Sequence, residues 1–79
     1  MVYRLMQRNL AKDLAMVERH IVLSEMHITR QRQRIQNQER NGEVATFSRS
    51  LLDNFESCLA LHYAHRDSIL RELLAWQWK

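Results

Sequence analysis

The sequence predicts an all-α protein, an antiparallel αα-hairpin of two long helices that pairs with a second copy into a four-helix bundle. The chain has 79 residues with no proline and one glycine, which is too little turn chemistry for a multi-stranded protein. Its composition, 46% hydrophobic and 27% charged, is that of a folded domain. Apolar residues recur at helical spacing on both sides of a single breaker cluster. We therefore expect one domain over residues 1–79.

The first helix is predicted over about residues 2–40. Its apolar residues follow an alternating four-three spacing, the heptad seam of a coiled coil, and include Leu10, Leu14, Val17, Ile21, Ile28 and Ile35. Asn and Gly adopt the left-handed conformation that ends helices, so Asn41 and Gly42 are expected to stop this helix, with a turn over about 41–44.

The second helix is predicted over about residues 45–77, with Glu43 or Thr46 as its cap. It carries a seam of the same spacing, which includes Leu52, Phe55, Leu59, His62, Ile69, Leu73 and Trp76. When the two seams are folded onto each other, all facing pairs converge on the step between Asn41 and Gly42. A slip of one heptad would place the reversal at Gln38 or Ala45, which lack turn chemistry, so the register is specified.

A second apolar set lies off the seam and is assigned to an oligomer interface. Its members lie at helical spacing, which indicates burial against another surface: Leu5, Met16, Leu23, Met26, Leu61, Leu70, Leu74 and Trp78. In the predicted register Glu25 faces Glu56 and Arg32 faces Arg49, so these like charges either point into water or find partners on a neighbouring hairpin. A homodimer is favoured, and a different protein partner is the alternative.

The histidines are the main candidates for chemistry. His20 is expected opposite His65, His27 opposite Cys58, and His62 on the seam. His62 and His65 are three residues apart on one helix, so with His20 they form a candidate metal site. A polar layer that fixes the register is the simpler interpretation, and a pH switch is a third. Arg66 on the seam needs a partner, either Glu18 or Asp67.

The turn end of the rod is basic. Its arginines, which could hold phosphates or structured RNA, are Arg30, Arg32, Arg34, Arg40 and Arg49. Solvated surface is the simpler interpretation, since no aromatic residue lies among them to stack on bases. The net charge of +3 does not by itself call for nucleic acid.

The remaining features exclude several classes of function. The chain has no Gly-rich phosphate loop, nucleophile elbow or zinc motif, so neither an enzyme nor a cofactor is expected. No apolar run reaches the length of a signal peptide or a membrane span. The single Cys58 fits a reducing compartment. A cytoplasmic protein is predicted.

Between about residues 17 and 72 the chain combines Glu18-Arg19-His20, His27, Arg30-Gln31-Arg32, Gly42, Leu51-Leu52, Phe55-Glu56, Leu59, His62 and Arg66-Asp67. In this combination it resembles a group of small uncharacterised proteins from alphaproteobacteria. The resemblance implies a two-helix hairpin and no particular activity. The chain departs from the group after Gly42, where Glu43-Val44-Ala45-Thr46 replaces a polar helix start.

The leading hypothesis is a non-enzymatic hairpin that acts through protein–protein contacts, as a self-associating adaptor or small regulator. The alternative is a nucleic-acid-binding bundle that uses the basic end between Arg30 and Arg49. A metal-binding bundle at the histidines is the weaker alternative.

Overall fold

The chain folds into a hairpin of two α-helices, seen in a computed structural model that describes the backbone of residues 2–77 and the side chains of residues 9–76. Helix α1 spans Val2–Arg40 and α2 spans Thr46–Gln77. The two helices pack along their length into a rod of 61 × 15 × 14 Å. The predicted all-α hairpin is confirmed. In the described residues neither helix contains a stretch long and apolar enough to cross a membrane.

Helix α1 ends in a Schellman motif at Gly42. Gly42 has a φ of 76°, and its amide donates to the carbonyl of Glu39 at 3.1 Å while the amide of Glu43 donates to the carbonyl of Gln38 at 2.8 Å. These two bonds satisfy carbonyls that the end of a helix leaves unpaired. Asn41 still donates in the helical pattern, to Asn37 at 3.0 Å, so the left-handed residue is the glycine.

Neither of the predicted caps, Glu43 and Thr46, caps the start of helix α2 with its side chain. Its first residue is Thr46, and the carbonyl of Ala45 accepts the first helical hydrogen bond, from the amide of Arg49 at 2.8 Å. Ala45 therefore occupies the N-cap position, where Ser, Asp or Asn would stabilise the helix better. Ala45 is instead buried, so this position is used for packing under the turn.

The hydrophobic core is a single row of side chains between the two helices. The buried apolar residues within 9–76 are Val17, Ile21, Ile28, Ile35, Ala45 and Ile69, and Val17 is the most completely enclosed. They are seam residues of α1, Ile69 of the α2 seam, and the N-cap alanine. Most other α2 seam residues, such as Leu52, Phe55 and Leu59, are only half-buried. A rod with one thin core leaves much apolar surface uncovered, on both helices.

Near the turn, the core is closed by a polar cluster rather than by apolar side chains. The side-chain amide of Gln31 donates to the backbone carbonyl of Ser48 at 2.9 Å, and the Ser48 hydroxyl donates to Oε1 of Gln38 at 2.7 Å. Gln31 and Ser48 are both buried. Buried polar groups are stable only when they are hydrogen-bonded, so this cluster joins α1 to the start of α2 in one register.

One edge of the hairpin carries a ladder of polar pairs between the helices, and we call it the ionic edge. Glu39 pairs with Arg49 at 2.7 Å, Arg32 with Glu56 at 3.3 Å, and the Tyr63 hydroxyl donates to Glu25 at 3.4 Å. On each helix these residues recur every seven positions. The pairs are exposed, so each contributes little to stability.

The expectation that Glu25 faces Glu56 and Arg32 faces Arg49 was wrong. Side chains on a helix lean towards its N-terminus. In an antiparallel pair, this lean points the side chains of the two helices in opposite directions along the rod. Flanking residues that lie directly opposite each other therefore lean apart, and contact is made between residues that each lie further towards the C-terminus. Arg32 consequently reaches Glu56, one heptad beyond Arg49, and opposite charges pair within one hairpin.

Candidate functional site

The uncovered apolar side chains are the most prominent surface feature of the described residues. All six described members of the predicted interface set are exposed: Met16, Leu23, Met26, Leu61, Leu70 and Leu74. Leu5 and Trp78 lie outside the residues whose side chains are described. Isolated exposed leucines are common, whereas a set at helical spacing on so small a protein is a candidate contact surface.

These apolar residues are divided between the two edges of the hairpin. His20 and His27 contact α2 from the edge opposite the ionic edge, and we call this side the histidine edge. Met16 and Leu23 lie four and three residues from His20, so they share this edge. By heptad position Leu61 lies on the corresponding edge of α2, whereas Leu70 and Leu74 lie towards the ionic edge. The residues predicted as one interface are therefore divided between the two edges, and Met26 lies on the side of α1 that faces away from α2.

The sequence reasoning missed three further exposed apolar residues. Val22 lies on α1, and Val44 and Phe47 flank the start of α2, where they are 86% and 80% exposed. The available signal for Val44 and Phe47 was the stretch Glu43-Val44-Ala45-Thr46, where the chain departs from a polar helix start. Only Ala45 in this stretch is buried. The sequence reasoning also missed the Gln31–Ser48–Gln38 cluster, although three polar residues on a seam have to find partners.

The structure brings two of the three candidate metal ligands together. The rings of His20 and His62 lie with their centroids 5.3 Å apart and are inclined by 49°. His65 is exposed and His20 reaches His62 rather than His65. Within residues 9–76 no group of three His, Cys, Asp or Glu side chains is arranged to hold a metal ion. His27 contacts Phe55, with centroids 5.9 Å apart, while Cys58 is exposed.

Arg66 pairs with its sequence neighbour and not with Glu18. Its Nη2 lies 3.5 Å from Asp67, and the guanidinium lies over the Tyr63 ring, 5.1 Å from the ring centre. Its Nε is buried without a hydrogen-bond partner. The stacking on Tyr63 directs this charge towards the ionic edge and away from the two histidine rings.

The basic end contributes fewer free charges than the sequence predicts. Arg32 and Arg49 are held in the ion pairs of the ionic edge. Among the side chains of residues 9–76, Arg30, Arg34 and Arg40 are exposed and form no ion pair. An arginine paired with glutamate is a weaker phosphate ligand, because the anion has to displace the carboxylate.

A shallow groove of about 300 Å³ lies along the ionic edge. Its floor is formed by Ile28, Leu59 and Ala60, and the Arg32–Glu56 and Glu25–Tyr63 pairs border it. The groove is open to solvent and its charges are already paired with each other. It therefore lacks the enclosed pocket with convergent, unpaired polar groups that is typical of active sites.

The comparisons with known proteins return no relative. No family model, no curated protein and no solved structure matches the chain.

Proposed function

We propose that the protein is a non-enzymatic hairpin that acts through protein–protein contacts in the cytoplasm, as an adaptor or small regulator. In this proposal two copies pair through the histidine edge into a four-helix bundle. The observation that supports it most strongly is the exposure of Met16, Leu23 and Leu61 on an edge with fewer flanking charges than the ionic edge.

The two edges differ in the charges that a second copy would have to desolvate. On the ionic edge, a neighbour would cover the paired charges of Glu25, Arg32, Glu39, Arg49 and Glu56, and desolvating such pairs is costly. On the histidine edge, the flanking positions hold three charged residues, Asp13, Arg34 and Glu72, beside His20, His27, Cys58, His65 and Leu51. Burial of this edge removes apolar area from water at a smaller electrostatic cost.

The size of the rod is sufficient for such a dimer. One long side of a rod of 61 by 15 Å offers roughly 900 Å², and a standard interface buries about 800 Å² per partner. A two-fold axis across the histidine edge would place the same residues of both copies against each other, as in most homodimers. The half-buried seam residues of α2 would then become the interior of a bundle core.

The proposal is tested by the mass in solution and by charge substitutions. Wild-type protein at about 50 µM is expected to sediment with twice the chain mass of 9.6 kDa. Leu23→Glu and Leu61→Glu each place two charges in the dimer interface, so we expect each to weaken the dimer at least about 100-fold. Leu74→Glu is the matched control, since Leu74 is similarly exposed but lies towards the ionic edge.

Two outcomes would contradict the proposal. A wild-type chain that sediments as a monomer at this concentration removes self-association. A dimer that Leu74→Glu disrupts while Leu23→Glu and Leu61→Glu leave it intact would place the interface on the ionic edge. Far-UV circular dichroism of each variant shows whether the helices are retained.

The nucleic-acid hypothesis makes a different prediction, which an electrophoretic mobility-shift assay tests. Binding through Arg30, Arg34 and Arg40 would appear as an electrophoretic shift of RNA or DNA that weakens steeply with salt. With Arg32 and Arg49 already in ion pairs, we expect no such shift at about 0.15 M salt. A salt-sensitive shift that Arg34→Ala reduces would replace our proposal.

A further inference from the structure

We propose that His20 and His62 form a binding site for a divalent transition-metal ion of the Zn²⁺ type, which links α1 to α2. The two residues belong to different helices and lie 42 positions apart in the sequence. Their rings meet beside the seam, next to the core residue Ile21 and one turn from the core residue Val17. Imidazole is a preferred ligand of Zn²⁺, Cu²⁺ and Ni²⁺.

The spacing of the rings fits two ligands on one ion. With Zn–N bonds of about 2.0–2.1 Å and tetrahedral angles, two coordinated imidazoles have ring centres about 5 Å apart. The observed separation of the centroids is 5.3 Å, and the rings are inclined by 49° rather than stacked. A metal ion could therefore enter between them after side-chain rotation, without a shift of either helix.

The surroundings leave the pair accessible to an ion. His20 is exposed and His62 half-buried, so an ion can reach the pair from solvent while one ligand is fixed by packing. The nearest seam cation, Arg66, is held over Tyr63, away from the pair. No third His, Cys, Asp or Glu side chain in residues 9–76 completes the set, so water molecules or a second copy of the chain fill the remaining positions.

The site predicts a stabilisation that depends on both helices. An ion that binds only the folded hairpin raises its stability by mass action. We expect ZnCl₂ at about ten times its dissociation constant to raise the thermal midpoint of the full chain by roughly 5 °C or more. The midpoint is followed by circular dichroism, and each variant is compared with itself in EDTA, so that an effect on folding alone cancels.

Matched histidine variants separate this site from adventitious binding. His20→Asn and His62→Asn are each expected to remove the Zn²⁺-dependent shift, whereas His65→Asn, His27→Asn and Cys58→Ser are expected to keep it. Titration calorimetry with ZnCl₂ gives a second readout that does not depend on stability.

Three results would overturn the inference: no shift and no binding heat in the wild type, an unchanged shift in His62→Asn, or an equal loss in His65→Asn or Cys58→Ser. Because the proposed dimer covers the histidine edge, the titrations are made at a protein concentration where sedimentation of the metal-free protein shows a monomer, so that a failure to bind Zn²⁺ is distinguished from a failure to dimerise.

Discussion

Replacement of Gln31 by alanine tests whether the polar cluster near the turn holds the two helices together. Gln31 is 3% exposed, and its side-chain amide donates to the carbonyl of Ser48 at 2.9 Å. The substitution removes this bond and leaves a small cavity between α1 and the start of α2. The Ser48 carbonyl is not left unpaired, because within α2 it also accepts from the amide of Leu52.

The expected magnitude follows from four contributions. The lost hydrogen bond costs about 1 kcal/mol, the lost buried methylene about 0.8 kcal/mol, and the cavity about 1 kcal/mol more. Alanine recovers roughly 1.5 kcal/mol of the side-chain entropy that the glutamine loses on folding. The free energy of unfolding should therefore fall by about 1–1.5 kcal/mol.

Urea denaturation at several protein concentrations measures this change and separates it from any effect on self-association. With an m-value of about 1 kcal/mol/M, the midpoint should fall by about 1–1.5 M. Gln31→Met is the control, since it keeps the volume but removes the hydrogen bond, and it should lose about 1 kcal/mol. A loss below about 0.5 kcal/mol in Gln31→Ala, or a Gln31→Met variant as stable as the wild type, would refute this account of the cluster.

Three further predictions concern the turn and the ionic edge. Gly42→Ala should destabilise by about 1 kcal/mol, because the residue has a φ of 76° although no atom lies within 4 Å of the position that the alanine methyl group would take; a neutral result in urea denaturation would contradict the Schellman ending. Ala45→Ser should stabilise by about 0.5–1 kcal/mol through a new N-cap, seen as a higher thermal midpoint, and a lower midpoint would show that the site cannot accept a hydroxyl. A double-mutant cycle on Arg32 and Glu56 should give a coupling below about 0.5 kcal/mol that vanishes in 1 M NaCl, and a larger, salt-resistant coupling would show that the pair is not solvent-screened.

The backbone of this fold could be predicted from the sequence because two independent signals agree. The heptad seams and the Asn41–Gly42 step both place the reversal at one point, and helix periodicity depends only on the local chain. Within residues 2–77, the single glycine marks the one position that has a left-handed backbone.

Side-chain pairing across the edges could not be predicted with the same rule. Facing seam positions give the level of each residue, but not the direction in which its side chain leans. This lean pairs Arg32 with Glu56. It does not explain the contact of His20 with His62 rather than His65, which is displaced in the opposite direction. The exposed leucines pose a related problem, since a helical period identifies a stripe on each helix but not which edges of two helices coincide.

The alternation of charge along the ionic edge has a consequence for folding fidelity. A slip of the helices by one heptad in one direction would bring Glu25 to Glu56 and Arg32 to Arg49, and a slip in the other would bring Glu39 to Glu56. Each misaligned hairpin would thus lose its attractions and acquire repulsions, a swing of roughly 1–2 kcal/mol. Contacts too weak to hold the native hairpin together are therefore sufficient to disfavour its nearest incorrect alignments.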